Sequence, residues 1–216
     1  MTESVDPSLA RAIEALSSPG ILIGHRLIAP GDESALLAEE AHSIASPLIG
    51  VRRASGAARI VGRQLLARLG YAACAVPKSP SGAPLWPAGV TGSFAHDERV
   101  AVAAVALCRD VAAVGIDVEP AEVLPPELLD LVATPQERLR LNDDPYRGRL
   151  LFAAKEAVYK AVTPLDGLFL DYHDVEVDLA GRKAVVRNGR EVELRYGMST
   201  HLVVLALIRA ASFSHR

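Results

Sequence analysis

The stretch VAVAAVALCRDVAAVGIDVEP, residues 100–120, reads as two strands separated by a short polar break. The first, at about 99–108, is apolar throughout, the pattern of a strand buried on both faces. The second, at about 112–118, runs into Gly115-Ile116-Asp117-Val118-Glu119-Pro120. On a strand, residues two apart share a face, so Asp117 and Glu119 present two carboxylates side by side at the end of an apolar strand. Two such groups repel, and burying both is costly unless a cation lies between them. Hard divalent ions such as magnesium take oxygen ligands of this kind and keep positions open for substrate phosphates. Taken alone, the hexapeptide favours a plainer alternative, a strand running out into solvent.

Working outward, residues 1–20 read as a lead-in with a short helix, and Ile21 to Ile28 as a strand. Glu33 to Ala45 has helical content interrupted by Ser46-Pro47. Val51 to Leu69 reads as a long helix stopped by Gly70. Its Arg52, Arg59, Arg63 and Arg68 form a partial stripe, which without other information is a solvated face. Residues 77–92, PKSPSGAPLWPAGVTG, form a Pro- and Gly-rich structured loop around Trp86. Beyond the quoted stretch, Thr134-Pro135-Gln136-Glu137 offers a capped helix start. Asp144-Pro145 opens a helix from 145 to about 162, ended by Pro164, and 172–209 reads as strands separated by Gly181, Asn188-Gly189 and Gly197. Each half of the chain has a long helix followed by strands, an α/β (α+β) class. Division falls at 1–110 and 111–216.

The chain has 216 residues, 23 Lys+Arg against 26 Asp+Glu, and a formal net charge of −3. Half its residues are hydrophobic and 23% are charged, which excludes a disordered or collagen-like chain. The near-neutral balance argues against bulk nucleic-acid binding. Cys74 and Cys108 fit neither a metal-ligand spacing nor a disulfide framework, and read as small buried thiols in a reducing cytoplasm. The N-terminal stretch carries Glu3 and Asp6 and lacks a basic segment followed by an apolar core, so no signal peptide is expected. Nine apolar residues, Val100 to Cys108, are too few to span a bilayer as a helix.

Two further segments carry candidate chemistry. In Phe152-Ala153-Ala154-Lys155-Glu156-Ala157-Val158-Tyr159-Lys160, Glu156 and Lys160 share a helix face and Lys155 lies about 100° round from Glu156. A surface ion pair is the plain reading. Yet only four of the 23 cations are Lys, and two flank this glutamate in an Ala-rich helix. A third carboxylate and two ammonium groups would complete a magnesium–diphosphate site with Asp117 and Glu119. In Trp86-Pro87-Ala88-Gly89-Val90-Thr91-Gly92-Ser93-Phe94-Ala95-His96, a shaped loop leads to His96 at the approach to a strand hairpin.

In order and spacing these three segments resemble the 4′-phosphopantetheinyl transferases of the large monomeric type, the surfactin-synthetase-activating and enterobactin-component-D class. Trp86-Pro87…Gly92-Ser93…His96, Gly115-Ile116-Asp117-Val118-Glu119 and Phe152…Lys155-Glu156-Ala157…Lys160 match its three motifs. The likeness is nearest to actinobacterial enzymes serving polyketide and non-ribosomal peptide carriers. It departs at Ala95, where many members have Ser or Thr, and at Ser81, where a basic residue is usual; Lys78 stands three residues earlier.

The resemblance implies two similar α/β halves with pseudo-twofold symmetry and coenzyme A bound between them. It implies transfer of 4′-phosphopantetheine to a serine of acyl or peptidyl carrier proteins, with siderophore, polyketide and fatty-acid carriers all open. Asp117, Glu119 and Glu156 would hold magnesium (or manganese), and Glu156 would help deprotonate the serine. Lys155 and Lys160 would neutralise phosphate charge. His96 would bind the 3′-phosphate side of coenzyme A, and Arg52, Arg59 and Lys78 would hold its phosphates and frame the adenine. The implied protein is a cytoplasmic monomer engaging neither membrane nor nucleic acid. The rival readings are a non-catalytic carrier- or coenzyme A-binding scaffold, and a magnesium-dependent phosphotransferase with another donor.

Overall fold

A computed structural model describes residues 5–72, 74–141 and 143–210. Glu3, one of the two acidic residues that speak against a signal peptide, lies outside them. Strand β3 (Val100–Leu107) is the hub of the first half. It is the middle strand of an antiparallel sheet in the order β1-β3-β2, between β1 (Ile21–Leu27) and β2 (Val90–His96). Both faces of β3 are covered, as its unbroken apolar run requires. Ala103 and Val105 pack under Val61, Leu65 and Leu66 of helix α3 (Ile49–Arg68). The alternate residues Val102, Ala104 and Ala106 face the second sheet.

That second sheet is antiparallel in the order β4-β8-β7-β6-β5. It comprises β4 (Val111–Pro120), β5 (Val175–Asp178), β6 (Lys183–Val186), β7 (Glu191–Met198) and β8 (His201–Arg209). Val114, Ile116 and Val118 of β4 meet the first sheet, with Val203, Leu205 and Leu207 of β8 beside them. The other face is covered by helix α6 (Arg147–Asp166), whose Leu151, Ala154, Ala157 and Ala161 pack over Ala113, Val204 and Ala206. The layers are helix, sheet, sheet, helix. Short helices α1 (Pro7–Glu14), α2 (Ala38–Ser43), α4 (Pro126–Val132) and α5 (Pro135–Arg140) close the edges. Thr134 caps α5 as its sequence predicts, accepting from Glu137 N while Glu137 reaches back to Thr134 N.

Several expectations are corrected. Strand β2 begins at Val90, inside the stretch read as loop. Its Gly92 is a packing glycine: a Cβ there would collide with the Trp86 ring. Helix α6 starts at 147 and runs through Pro164 to Asp166, closing at Gly167 in the left-handed conformation (φ 68°). Pro164 removes one backbone donor without breaking the last turn. Gly197 does not separate strands; it lies within β7, where a side chain would strike the Ala12 carbonyl of α1. Cys74 is half-buried and Cys108 is exposed, because Cys108 opens the turn after β3 rather than belonging to it. Among the described residues no helix is long and apolar enough to cross a membrane.

Candidate active site

Gly115 sets the geometry. A Cβ at that position would collide with the Ala157 carbonyl, so its absence lets α6 lie directly on β4. Asp117 and Glu119, two and four residues on, share that face and look toward the helix. Asp117 is 5% exposed. Its Oδ1 accepts from Lys160 Nζ at 2.6 Å, while its buried Oδ2 has no partner among the described residues. Burial, reinforced by Glu119 and Glu156 and opposed by Lys160, pushes its carboxyl up to about 6. Glu119 is pushed upward by burial as well, against the pull of Arg149, whose Nη1 donates to Glu119 Oε2 at 3.0 Å. Glu156 Oε1 accepts from the Tyr172 hydroxyl at 2.9 Å. Desolvation first, and then Glu156, raise the Tyr172 phenol well above its ordinary range.

Three carboxylates thus occupy facing positions on β4 and α6. They do not converge into a cluster of three or more metal-ligating side chains among the described residues. Each is drawn toward its own partner: Lys160, Arg149 or Tyr172. Oxygen-only donors and the unclaimed Asp117 Oδ2 are nonetheless compatible with a hard divalent cation.

Lys155 points elsewhere. Its ammonium is 2.7 Å from Glu137 Oε2 and donates to the carbonyls of Val132 (2.9 Å) and Tyr172 (2.8 Å). Both partners' side chains are 1% exposed. Expected to neutralise phosphate charge, Lys155 is instead saturated inside the protein. It ties α6 to α5 and to the 3-10 turn Tyr172–Asp174 that carries the Tyr172 hydroxyl.

The first half supplies cations around the same region. Lys78, Ser93, Glu156 and Lys160 line a cleft of about 250 Å³ between the Pro-rich loop, β2 and α6. The loop is pinned by a bridge between Lys78 and Pro84 and by donation from Lys78 N to Ser43 Oγ at 2.9 Å. Ser81 lines the cleft too. His96 ends β2 with an exposed face. Desolvation by the atoms packed around the ring, and then the charges of Lys160 and Arg59, lower its pKa. Arg59 is 6% exposed and stacks over Phe94 at 5.0 Å, with Phe94 against Trp86 at 4.7 Å. Its Nε donates to the Val76 carbonyl, and burial pulls its pKa down to about 10. Arg52, seven residues before it on α3, is exposed. Ala95 belongs to the apolar core between the sheets, so a hydroxyl there would be buried among Val102, Ile116 and Val118.

Two residues at the site were missed from sequence. Arg149 lies seven residues before Glu156, two turns along one helix face, and that spacing was a usable signal. Tyr172 had no local signal, because the turn that presents it packs on α6 only in three dimensions.

Comparison with known proteins agrees with the motif resemblance. Residues 39–106 match the profile of the 4′-phosphopantetheinyl transferase N-terminal domain, and residues 113–206 that of the 4′-phosphopantetheinyl transferase superfamily. The 4′-phosphopantetheinyl transferase Npt of Nocardia iowensis is 40% identical over 168 residues, 76% of this chain and 75% of that protein. Svp of Streptomyces mobaraensis is 40% identical over 156 residues (69% of this chain, 63% of that protein). PptT of Mycobacterium tuberculosis is 36% identical over 145 residues (65% and 64%). All three relatives are named as 4′-phosphopantetheinyl transferases and come from actinobacteria. With its three motifs inside the matched spans and its carboxylates and Lys160 gathered where β4 meets α6, the chain belongs to the 4′-phosphopantetheinyl transferase family of enzymes.

Proposed function

We propose that this enzyme transfers the 4′-phosphopantetheine group of coenzyme A to a serine of an apo acyl or peptidyl carrier protein, with magnesium, releasing 3′,5′-ADP. The observation that carries the reading is the Asp117–Lys160 pair beside Glu119 and Glu156, next to a cleft that joins the halves 1–110 and 111–216. The serine oxygen attacks the β-phosphorus, the bond to the departing 3′,5′-ADP oxygen breaks, and the serine proton passes to Glu156 directly or through a water. Glu156 Oε2 is the oxygen for this task, since Oε1 takes the Tyr172 hydroxyl. Lys160 holds the diphosphate charge where 3′,5′-ADP leaves. His96, Arg52, Arg59 and Lys78 bind the phosphates and frame the adenine of the donor. Phosphoryl transfer needs positioning and charge stabilisation rather than a protein nucleophile, and these residues supply both.

Asp117, Glu119 and Glu156 would hold the magnesium, which when bound stabilises negative charge on the diphosphate. Lys155 we assign to the scaffold, because every contact of its ammonium is internal. Coenzyme A in a cytoplasmic setting is the natural donor pool for such a reaction.

The test is incubation with coenzyme A, magnesium and a panel of apo carriers, read by intact mass. Gain of one phosphopantetheine on a carrier is expected, and no gain across the panel rejects the reading. Thermal protection by coenzyme A but not by ATP separates it from a phosphotransferase using another donor.

A further inference from the structure

Outside the carboxylate site, a buried histidine and an aspartate meet across the two halves. His201, the first residue of β8, is 1% exposed, and its Nε2 lies 2.9 Å from Asp97 Oδ2. Asp97 follows His96 in the β2–β3 hairpin turn. Its other oxygen, Oδ1, accepts from Arg99 N (2.7 Å) and Val100 N (2.8 Å), so the turn itself fixes the carboxylate. On the far side, His201 Nδ1 lies 3.0 Å from Thr200 Oγ1, which donates to Asp6 Oδ2 at 3.3 Å. Asp6 caps α1, accepting from Ser8 N and Leu9 N. The imidazole is therefore held at both nitrogens.

Its place in the sheet gives this contact a consequence. In the β4–β8 ladder His201 stands opposite Pro120, and the next residue, Leu202, stands opposite Glu119. The contact accordingly joins the end of β2, where His96 sits, to the end of β4, where Asp117 and Glu119 sit. These two strands pack against each other across the layer between the sheets.

We propose that Asp97 and His201 form a latch between the halves that sets the distance of His96 from the β4 carboxylates, and so acts as a positioning pair for the coenzyme A donor. The inference rests on the donor reading given above. A group clamped at one end to its own turn and at the other to an anchored buried ring loses little freedom when the donor binds, which is how a site is kept ready. Neither residue touches the donor; both act through His96.

The experiment is steady-state transfer with coenzyme A and carrier varied separately. Asp97→Ser keeps a hydroxyl to cap the turn but cannot reach His201. The expected result is a KM for coenzyme A raised about tenfold, equivalent to one charge-assisted hydrogen bond lost, with kcat and the KM for carrier nearly unchanged. His201→Gln, which keeps a donor toward Asp97, should restore most of the affinity that His201→Ala loses. The double variant His96→Ala/Asp97→Ser should be no worse than His96→Ala, since Asp97 acts through His96. A folded Asp97→Ser enzyme with wild-type KM for coenzyme A overturns the latch, as does a rise in KM for carrier of equal size. Additive losses in the double variant overturn the route through His96, as does a His96→Ala enzyme with unaltered KM. Failure of the donor reading looks different: the wild-type enzyme itself would then show no dependence on coenzyme A.

Discussion

Lys160 Nζ stands 2.6 Å from Asp117 Oδ1, joining the last turns of α6 to the end of edge strand β4. The pair is unequal in burial: the lysine side chain is 28% exposed and the aspartate 7%. The ammonium can therefore swing toward a ligand, whereas the carboxylate is fixed by the strand and by α6 above it.

The buried carboxylate costs stability whenever it is ionised. In the folded protein it holds its proton up to about 6, while an unfolded aspartate releases it near about 4. Between those values the folded state binds more protons, so stability falls as pH rises through that window. Asp117→Asn removes this share. With a chelator present, urea denaturation should show the variant gaining stability relative to wild type as pH passes from about 4 to about 6. Transfer by the variant should drop by about a hundredfold or more. A variant that gains nothing across the window, or that keeps near-full activity, contradicts the assignment of Asp117.

Tyr172→Phe deletes one hydroxyl and leaves the ring contact with Phe152 at 6.0 Å intact. Glu156 Oε1 then loses the donor that fixes its rotamer. The expected outcome is a kcat lowered by roughly ten- to a hundredfold with little change in KM for coenzyme A, on the scale of one hydrogen bond to a charged group. Melting temperature should stay close to wild type. An unaltered kcat would remove Tyr172 from the site.

Much of this was legible in the chain. The unbroken run 100–108 announced a strand covered on both faces, and the two-residue spacing placed Asp117 and Glu119 on one face, as β4 has them. The Thr134 capping box fixed the start of α5 to the residue. What failed were glycines and prolines read as punctuation. Gly92 and Gly197 are bare because a Trp ring and a helix carbonyl press on them, which is a tertiary cause with no local mark. The two motif lysines are the clearest case. Five residues apart on a helix means about 140° of rotation, so they cannot serve one side equally. That Lys155 finds Glu137, eighteen residues earlier, depends on how α5 docks.

The Lys155–Glu137 pair predicts a stability effect larger than any at the cleft. Removing one member leaves a charge buried without its partner, a loss of about 3–5 kcal/mol. Lys155→Met should cost that much in urea denaturation. The double variant Lys155→Met/Glu137→Gln should recover part of it, although Glu137 also accepts from Thr134 N and Val177 N. If Lys155 bound donor phosphate instead, Lys155→Met would raise the KM for coenzyme A and leave the unfolding midpoint near wild type.

Gly115→Ala tests whether the contact of α6 on β4 governs the site. The added methyl would meet the Ala157 carbonyl and the Ala161 amide nitrogen, both backbone atoms of α6, so no side-chain rotation can relieve it. Either the helix moves outward or the strand twists, and overpacking of this kind costs about 1–3 kcal/mol or more. Displacement of α6 also carries Glu156 and Lys160 away from Asp117. Activity should consequently fall further than stability does: at a temperature where the variant is fully folded by circular dichroism, kcat/KM should be reduced by about a hundredfold, the scale of a one-ångström misplacement. A folded Gly115→Ala enzyme with wild-type kcat/KM would mean that the spacing of strand and helix does not set the catalytic geometry.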